Sequence, residues 1–345
     1  MNKRIGIIGA SGYSGEQLVR LLLDHPRVEL AAVTSRQHAG KTLESVFRKF
    51  AGHPKSGAMR FSEPDARGLA RNVDAIFLAL PHGAAAEYAG PLLDAGCVVI
   101  DLSADFRLKS AQVYREFYGH DHPAPGLLEK SVYGLPEIRR EEIRKARLIA
   151  SPGCYPTSIL LPLIPLLKNG LIRHSSVIAD ALSGVSGAGR KAETDYLFCE
   201  CHESARPYSV PKHRHLSEIE EQLSLAAGAP VAIQFTPHLV PMNRGILTTL
   251  YLEPAAKLTH EAVAACYHDH FAREPFVRLL AGDNLPDTKH VIGTNFIEIA
   301  WRLDPRTGRL VVMSALDNLI KGAGGQAVQS MNLVCGFPET AGLVG

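Results

Sequence analysis

The sequence has 345 residues, 46% of them hydrophobic, and its 37 basic and 35 acidic residues leave a formal net charge of +2. This balance, without a block of like charges, argues against a nucleic-acid-binding protein. A chain of this length is longer than most single domains with one hydrophobic core, so we expect two domains. No run reaches the ~18 to 20 apolar residues that span a bilayer, and the first residues do not resemble a secretion signal. We expect a soluble, cytoplasmic protein that acts on small molecules.

A short apolar strand at residues 3–8 leads into a glycine-rich turn, GASGYSG, and then into a helix with leucines on one face. Glycines in such a turn let the backbone approach a pyrophosphate, and the helix N-terminus supplies N–H groups and a favourable dipole. The spacing GxxGxxG differs from the commoner GxGxxG. The turn predicts dinucleotide binding by Gly9, Ser11, Gly12, Tyr13, Ser14 and Gly15.

The second predicted strand, residues 28–33, ends in Thr34, Ser35 and Arg36. An NAD enzyme usually carries an acidic residue here for the ribose hydroxyls. A hydroxyl and a guanidinium suit a 2′-phosphate instead. We therefore predict NADP(H) as the cofactor, with Ser35 and Arg36 among its ligands. The alternative is that Arg36 is only a solvated loop residue.

Two further apolar runs, at 73–80 and 97–102, flank a segment of helical composition that Gly90-Pro91 should bend or break. Alternation of strands and helices indicates an α/β fold with a Rossmann-type, doubly wound parallel sheet. Ligands gather at the carboxyl ends of such strands, where Arg107 and Ser151 are expected. Arg107 would hold an anionic substrate group or pair with Asp105.

The stretch SPGCYPT, residues 151–157, separates a predicted strand from an apolar run of helical length. This pattern predicts a tight turn with Cys154 at a helix N-terminus, where N–H groups and the dipole favour a thiolate. The alternative is a small buried core cysteine. Of the other five cysteines, Cys199 and Cys201 lie near His202 but lack a second ligand pair, so we expect no metal site.

Two histidines, His213 and His215, flank Arg214 at a predicted helix start. An imidazole beside a thiol serves covalent acyl chemistry. A hydrolase could use the same pair, but it has no use for a dinucleotide-binding turn.

Beyond the cysteine helix, strands predicted at 177–183, 232–239, 246–253, 295–304 and 310–315 have few helices between them, near 216–227 and 259–271. A succession of strands with few helices between them indicates a second, α+β domain with a mostly antiparallel sheet. One face of that sheet is available for subunit contact, so we expect a homo-oligomer, a dimer or tetramer. We predict an NADP-binding domain at 1–151, a catalytic and oligomerisation domain at 152–316, and a C-terminal helix at 317–345 that returns to the first domain.

Five motifs stand out along the chain: GASGYSG, SPGCYPTS, KHRH with Glu218, TPHLVPMNRGI at 236–246 and DNLIKGAGGQAVQSMN at 317–332. Together they resemble those of the N-acetyl-gamma-glutamyl-phosphate reductases, arginine-pathway relatives of aspartate-semialdehyde dehydrogenase. The resemblance covers nearly the whole chain. It implies a two-domain dehydrogenase-type fold, often a homotetramer, that reduces an acyl phosphate with NADPH and releases phosphate.

The resemblance also implies roles for individual residues. Cys154 would be the nucleophile, and one of the two histidines the acid-base, with His215 favoured over His213. The remaining assignments are cofactor contacts for Ser151, Asn318, Lys321 and Gly322, and substrate contacts for Arg107, Ser183, Gly184 and Lys212. Three alternatives stay open: a reductase of aminoadipyl phosphate in lysine synthesis, aspartate-semialdehyde dehydrogenase, and an NADP-binding redox sensor without turnover.

Overall fold

A computed structural model describes residues 2–344 and divides them into two compact units. The first contains residues 2–115, 120–152 and 323–344, and the second contains 116–119 and 153–322. Apart from residues 116–119, the chain belongs to the first unit up to residue 152 and again from residue 323. The domains predicted from the sequence, with boundaries at 151 and 316, stay a prediction.

The first unit is built on a parallel sheet of seven strands within the described residues. The strands are β1 (Lys3–Ile8), β2 (Val28–Thr34), β3 (Phe61–Ser62), β4 (Ala75–Leu78), β5 (Val98–Asp101), β6 (Ser131–Tyr133) and β7 (Leu148–Ala150). Between them lie α1 (Tyr13–Leu23), α2 (Leu43–Val46), α3 (Ala66–Ala70), α4 (Ala85–Asp94), α5 (Ala111–Tyr118) and α6 (Pro136–Ile143). The strand order, β3-β2-β1-β4-β5-β7-β6, confirms the predicted Rossmann-type sheet.

Burial explains why these segments form central strands. All four residues of β4 are buried, as expected of a parallel strand covered on both faces. The helix predicted at 84–95 is not broken at Gly90-Pro91, because α4 runs through with Pro91 inside it. Pro91 has no N–H to donate to the carbonyl of Glu87, and Glu87 is an exposed residue. The sequence analysis predicted neither α5 nor the short edge strand β6.

The second unit has a mixed sheet with helices packed against it. In chain order its elements are α7 (Cys154–Lys168), β8 (Ile178–Ser183), α8 (Phe198–Cys201), β9 (Arg206–Pro207), α9 (His215–Ala227), β10 (Gln234–Leu239), β11 (Ile246–Leu252), α10 (His260–Phe271), β12 (Val277–Leu279), α11 (Thr288–Val291), β13 (Ile297–Leu303) and β14 (Leu310–Leu316). The order is β12-β13-β14-β11-β8-β10-β9. Four of these six neighbouring pairs are antiparallel, which confirms the predicted character of the sheet.

Helix α7 forms the centre of the second unit. It packs against α9, α10, β11 and β14, and every residue from Tyr155 to Leu167 is buried. A one-turn π-helix, Ile320–Gly324, follows β14, and α12 (Gly325–Val334) then packs on α1 and α6 in the first unit. Because α7 is enclosed over its length, its first residue, Cys154, has a fixed position.

Candidate active site

A cleft of about 380 Å³ opens in the first unit beside the glycine-rich turn. Gly9, Ser11 and Gly12 border it from the turn, and Ser35 and Arg36 border it from the end of β2. Gly12 is the N-cap of α1 and provides no capping side chain. A helix terminus of this kind is a favourable place for a phosphate.

Two glycines of the turn are required by close backbone approaches. Gly9 has a φ of +84°, and a Cβ there would lie 2.3 Å from the carbonyl oxygen of Ala79. A Cβ on Gly15 would lie 2.4 Å from the carbonyl oxygen of Gly9. No side chain fits at either position, so the turn holds its shape only with glycine. Tyr13 and Ser14 begin α1 but are not part of the cleft wall.

Polar side chains gather where the strand β2 ends. The hydroxyl oxygens of Ser11 and Ser35 are 2.9 Å apart. Arg36 Nη2 donates a hydrogen bond of 2.8 Å to the hydroxyl of Tyr88, and it lies 3.9 Å from a carboxylate oxygen of Glu87. Hydroxyls and a guanidinium at this corner are the groups that bind a phosphate.

A second cleft, of about 390 Å³, lies wholly in the second unit and contains Cys154, His213 and His215. Cys154 is the first residue of the 15-residue helix α7, whose N-cap, Gly153, adds no capping side chain. The dipole of such a helix favours negative charge on the sulphur. The arrangement agrees with the turn predicted from the sequence.

Gly322 lets the π-helix approach the cysteine. A Cβ on Gly322 would lie 2.7 Å from the Cβ of Cys154 and 3.1 Å from its Cα. Contacts this short do not occur between real Cβ atoms, so any side chain at Gly322 would displace the nucleophile. This contact gives Gly322 a packing role against Cys154.

A buried carboxylate ties the nucleophile turn to α9. Glu218 is 1% exposed, and its Oε1 accepts a 2.9 Å hydrogen bond from the backbone N–H of Gly153. Glu218 lies one helical turn after His215, the first residue of α9. The residue before Cys154 is therefore bonded to the helix that carries His215, and this bond fixes the turn against that helix.

Both histidines are buried, and the ring of His213 is enclosed by aromatic side chains. His213 is 6% exposed, and its ring packs edge-on against Tyr155, Tyr208 and Phe235 at centroid distances of 5.6, 5.5 and 5.6 Å. Its Nδ1 accepts a 3.0 Å hydrogen bond from the backbone N–H of His215. Burial, reinforced by the charge of Arg214, lowers the pKa of His213 to about 3. His213 is therefore a neutral ring near pH 7.

Cations border the cysteine cleft, and most of them have acidic partners. The paired ones are Lys191 with Glu193 at 3.6 Å, Arg206 with Asp195 at 3.4 Å, and Lys212 with Glu116 at 2.8 Å. Arg214 also lines the cleft, and it has no ion pair within residues 2–344. A guanidinium without a protein carboxylate beside it suits an anionic ligand.

Two family models match the chain. The NAD binding domain of semialdehyde dehydrogenase matches residues 4–146, and the semialdehyde dehydrogenase dimerisation domain matches residues 154–318. An N-acetyl-gamma-glutamyl-phosphate reductase of Akkermansia muciniphila is 54% identical over 99% of this chain and 98% of its own length. The chain belongs to the N-acetyl-gamma-glutamyl-phosphate reductase family. The resemblance inferred from the motifs is confirmed.

Other similar proteins agree with this family and with the fold of the reductase. A reductase of the same name from Pelobacter propionicus is 52% identical over 99% of this chain and 98% of its own. Among solved structures, aspartate semialdehyde dehydrogenase II from Vibrio cholerae has a TM-score of 0.74 at 20% identity, covering 97% and 99% of the two chains. Aspartate semialdehyde dehydrogenase with NADP from Candida albicans has a TM-score of 0.69 at 16% identity, covering 96% and 97%.

In this reductase the predicted substrate residues are not all gathered in one cleft. Ser183, Gly184 and Lys212 line the cysteine cleft. Arg107 belongs to the first unit and is 6% exposed, with Nε donating to the carbonyl of Ser151 and Nη2 to that of Leu102. These bonds connect the end of β5 to the loop after β7, which is a structural task the sequence did not predict.

Two residues assigned to the cofactor, Asn318 and Lys321, follow β14 in the second unit, Lys321 within the π-helix, and neither lines one of the two clefts. Lys321 is fully buried, with Nζ 5.7 Å from the ring centroid of Phe276. Asn318 is 2% exposed, accepts from the N–H of Gly245 and donates to Ser186. Their assignment to the cofactor stays a prediction. Ser151 is 1% exposed and likewise borders neither cleft.

Sequence reasoning missed three residues of the reductase. Glu218 belongs to one of the motifs, but the sequence assigns it no role, because the hydrogen bond to Gly153 joins residues that are 65 positions apart. Arg214 was passed over between the histidines, although it is the cation without an acidic partner among the described residues lining the cleft. Tyr88 lies in a segment of ordinary helical composition, so no sequence signal pointed to its contact with Arg36.

Proposed function

We propose that the protein reduces N-acetyl-gamma-glutamyl phosphate with NADPH to N-acetyl-glutamate 5-semialdehyde and phosphate, as a step of arginine biosynthesis. The observation that carries the proposal is the position of Cys154, at the N-terminus of α7 and in one cleft with His215, in a member of this family. A thiolate in such a cleft is the nucleophile that an acyl phosphate requires.

The cleft of the first unit fits NADP(H). The close approaches at Gly9 and Gly15 shape the turn for a pyrophosphate, and Ser11, Ser35 and Arg36 supply donors for a 2′-phosphate. When bound, NADPH supplies the hydride that reduces the acyl group.

The chemistry of the chain begins at Cys154. Its thiolate attacks the gamma-carbonyl carbon, a carbon–sulphur bond forms, and the carbon–oxygen bond to phosphate breaks, which leaves a thioester on the enzyme. Backbone N–H groups at the start of α7 stabilise the negative oxygen of the tetrahedral species. Pro156 has no N–H, so Cys154 and Tyr155 provide these donors.

His215 manages the protons of the reaction. It takes the proton of the Cys154 thiol before attack and returns a proton to the oxygen that becomes negative when the thioester is reduced. The resulting thiohemiacetal returns its hydroxyl proton to His215 as the carbon–sulphur bond breaks, which releases the semialdehyde and regenerates the thiolate. His213 holds the backbone N–H of His215 and stays neutral, because burial lowers its pKa to about 3. We therefore assign positioning to His213 and proton transfer to His215.

The anionic ends of the substrate bind at the cationic wall of the second-unit cleft. Arg214 contributes its guanidinium, which has no acidic partner within residues 2–344. Ser183, the last residue of β8, and Gly184, which follows it, also line this cleft. Lys212 also borders the cleft, but it is engaged with Glu116 and with the ring of Phe117, 4.5 Å from its Nζ.

An exposed apolar face of the second sheet supports a homo-oligomer, a dimer or tetramer. Ile178 and Leu182 on β8 and Tyr251 on β11 are 37%, 37% and 38% exposed, and Ile178 is directly opposite Tyr251. Apolar side chains in register on one sheet face are typical of a subunit contact. Within residues 2–344 no helix is long and apolar enough to cross a membrane, and we propose a cytoplasmic enzyme.

The experiment is a reverse-direction assay with NADP, phosphate and three semialdehydes: those of N-acetyl-glutamate, aminoadipate and aspartate. The proposal expects phosphate-dependent NADPH formation with N-acetyl-glutamate 5-semialdehyde in clear preference to the others. Preference for either of the other two would assign the protein to lysine synthesis or to aspartate-semialdehyde dehydrogenase. NADPH oxidation by acyl phosphate that survives alkylation of Cys154 would remove the covalent mechanism. NADP(H) binding without turnover of any of the three semialdehydes would favour the redox-sensor alternative.

A further inference from the structure

Tyr88 is the protein partner of the arginine proposed to bind the 2′-phosphate. It lies on α4, is 6% exposed and forms part of the wall of the first-unit cleft. Its hydroxyl accepts a 2.8 Å hydrogen bond from Nη2 of Arg36. An interaction of this length with a charged donor is a strong hydrogen bond.

The position of Tyr88 is itself fixed. Helix α4 begins at Ala85, and both oxygens of the buried Asp105 carboxylate receive N–H groups at this helix start, from Gly83, Ala85 and Ala86 at 2.6, 3.1 and 3.2 Å. Tyr88 follows in the next turn of the same helix. Its hydroxyl is therefore an anchored acceptor at the edge of the cleft.

The side chain of Arg36 needs such an anchor. It is 71% exposed, and a long exposed side chain loses rotamer freedom when it is fixed on a ligand. A guanidinium has five N–H donors, and the bond to Tyr88 uses one of them. The remaining donors are free of that bond and can reach a phosphate while the plane of the guanidinium is held.

Glu87 also lies near Arg36 but acts differently. Its carboxylate is 3.9 Å from Nη2, and its side chain is 68% exposed. The pair is solvated and weak, and the negative charge of Glu87 would repel a phosphate placed on the same guanidinium. Of the two neighbours, only the neutral hydroxyl can assist phosphate binding.

We propose that Tyr88 is a positioning residue that holds Arg36 for the 2′-phosphate and so contributes to the selectivity for NADPH over NADH. This inference rests on the NADP site of the proposed function. It predicts that the Tyr88 hydroxyl matters for a cofactor with a 2′-phosphate and is neutral for one without it.

The test measures Kd for NADPH and for NADH by fluorescence titration in wild type, Tyr88→Phe, Arg36→Ala and the double variant. Tyr88→Phe should raise the Kd for NADPH roughly three- to tenfold, because one net hydrogen bond is lost, and should leave the Kd for NADH within about twofold of the wild-type value. In the Arg36→Ala background the same change should have no further effect. The matched control, Glu87→Gln, removes the other neighbour of Arg36 and should leave NADPH binding unchanged or tighter.

The outcomes separate the inference from the proposed site. Selective loss of NADPH in Arg36→Ala without selective loss in Tyr88→Phe would overturn the role of Tyr88 and keep the site. Equal losses of both cofactors in Tyr88→Phe would also overturn it, because they would show only local unfolding. An Arg36→Ala variant without any selective effect would remove Arg36 from the 2′-phosphate site, and the role of Tyr88 with it.

Discussion

Replacing His213 by asparagine should make the stability of the second unit less sensitive to acid. Burial lowers the pKa of His213 to about 3 from an ordinary value of 6.5. Below the ordinary value the unfolded chain binds a proton that the folded protein excludes, so this histidine reduces stability as the pH falls from 6.5 toward 3. Above pH 6.5 neither state is protonated, and the effect vanishes.

The magnitude follows from the two pKa values. At pH 5 the imidazole is nearly all protonated in the unfolded chain and nearly all neutral in the folded protein. Each pH unit below the ordinary pKa lowers the free energy of unfolding by ~1.4 kcal/mol, and pH 5 lies about 1.5 units below it, so the loss is about 2 kcal/mol. The side chain is 6% exposed, and solvent screening is therefore small. Asparagine keeps an oxygen that can accept the N–H of His215, but it has no titrating group.

The assay is urea unfolding at pH 7 and pH 5, followed through the fluorescence of the single tryptophan, Trp301, which is buried in β13 of the second unit. His213→Asn is expected to be less stable than wild type at pH 7, because its ring contacts are lost. Between pH 7 and pH 5 the free energy of unfolding of the variant should fall by about 2 kcal/mol less than that of wild type. Equal losses in both proteins would refute the conclusion that burial keeps His213 neutral.

Further substitutions test the cysteine cleft. Cys154→Ala should abolish turnover and leave NADPH binding nearly intact by fluorescence titration; a tenth of wild-type activity would contradict covalent catalysis. His215→Asn should lower kcat by ~10² to 10⁴, whereas His213→Asn should mainly raise KM, and steady-state kinetics showing the reverse would exchange their roles. Gly322→Ala should lower kcat about tenfold or more, since its Cβ would lie 2.7 Å from that of Cys154. Gly126→Ala, with nothing within 4 Å of its Cβ, is the control, and equal activities would refute the close-packing argument.

The position of Cys154 and the neutrality of His213 come from different levels of structure. The turn before α7 is set by residues next to each other, because Gly153 and Pro156 govern a few backbone angles at a helix start. The neutrality of His213 depends instead on Tyr155 and Phe235, which lie far from it in the chain. The KHRH motif alone offers two equivalent imidazoles, and only the structure shows that Nδ1 of His213 accepts a hydrogen bond from the backbone N–H of His215.

Local patterns in the sequence determined the Rossmann-type sheet, the glycine-rich turn, the position of Cys154 at a helix start and the family. These features follow from hydrophobic periodicity, from the backbone freedom of glycine and from motifs within short stretches. Tertiary structure alone showed that Glu218 holds Gly153, that Lys321 is buried and that Tyr88 contacts Arg36. The physical reason is that solvation, hydrogen-bond partners and charge pairing are fixed by neighbours distant in sequence, and no local pattern specifies which residues those are.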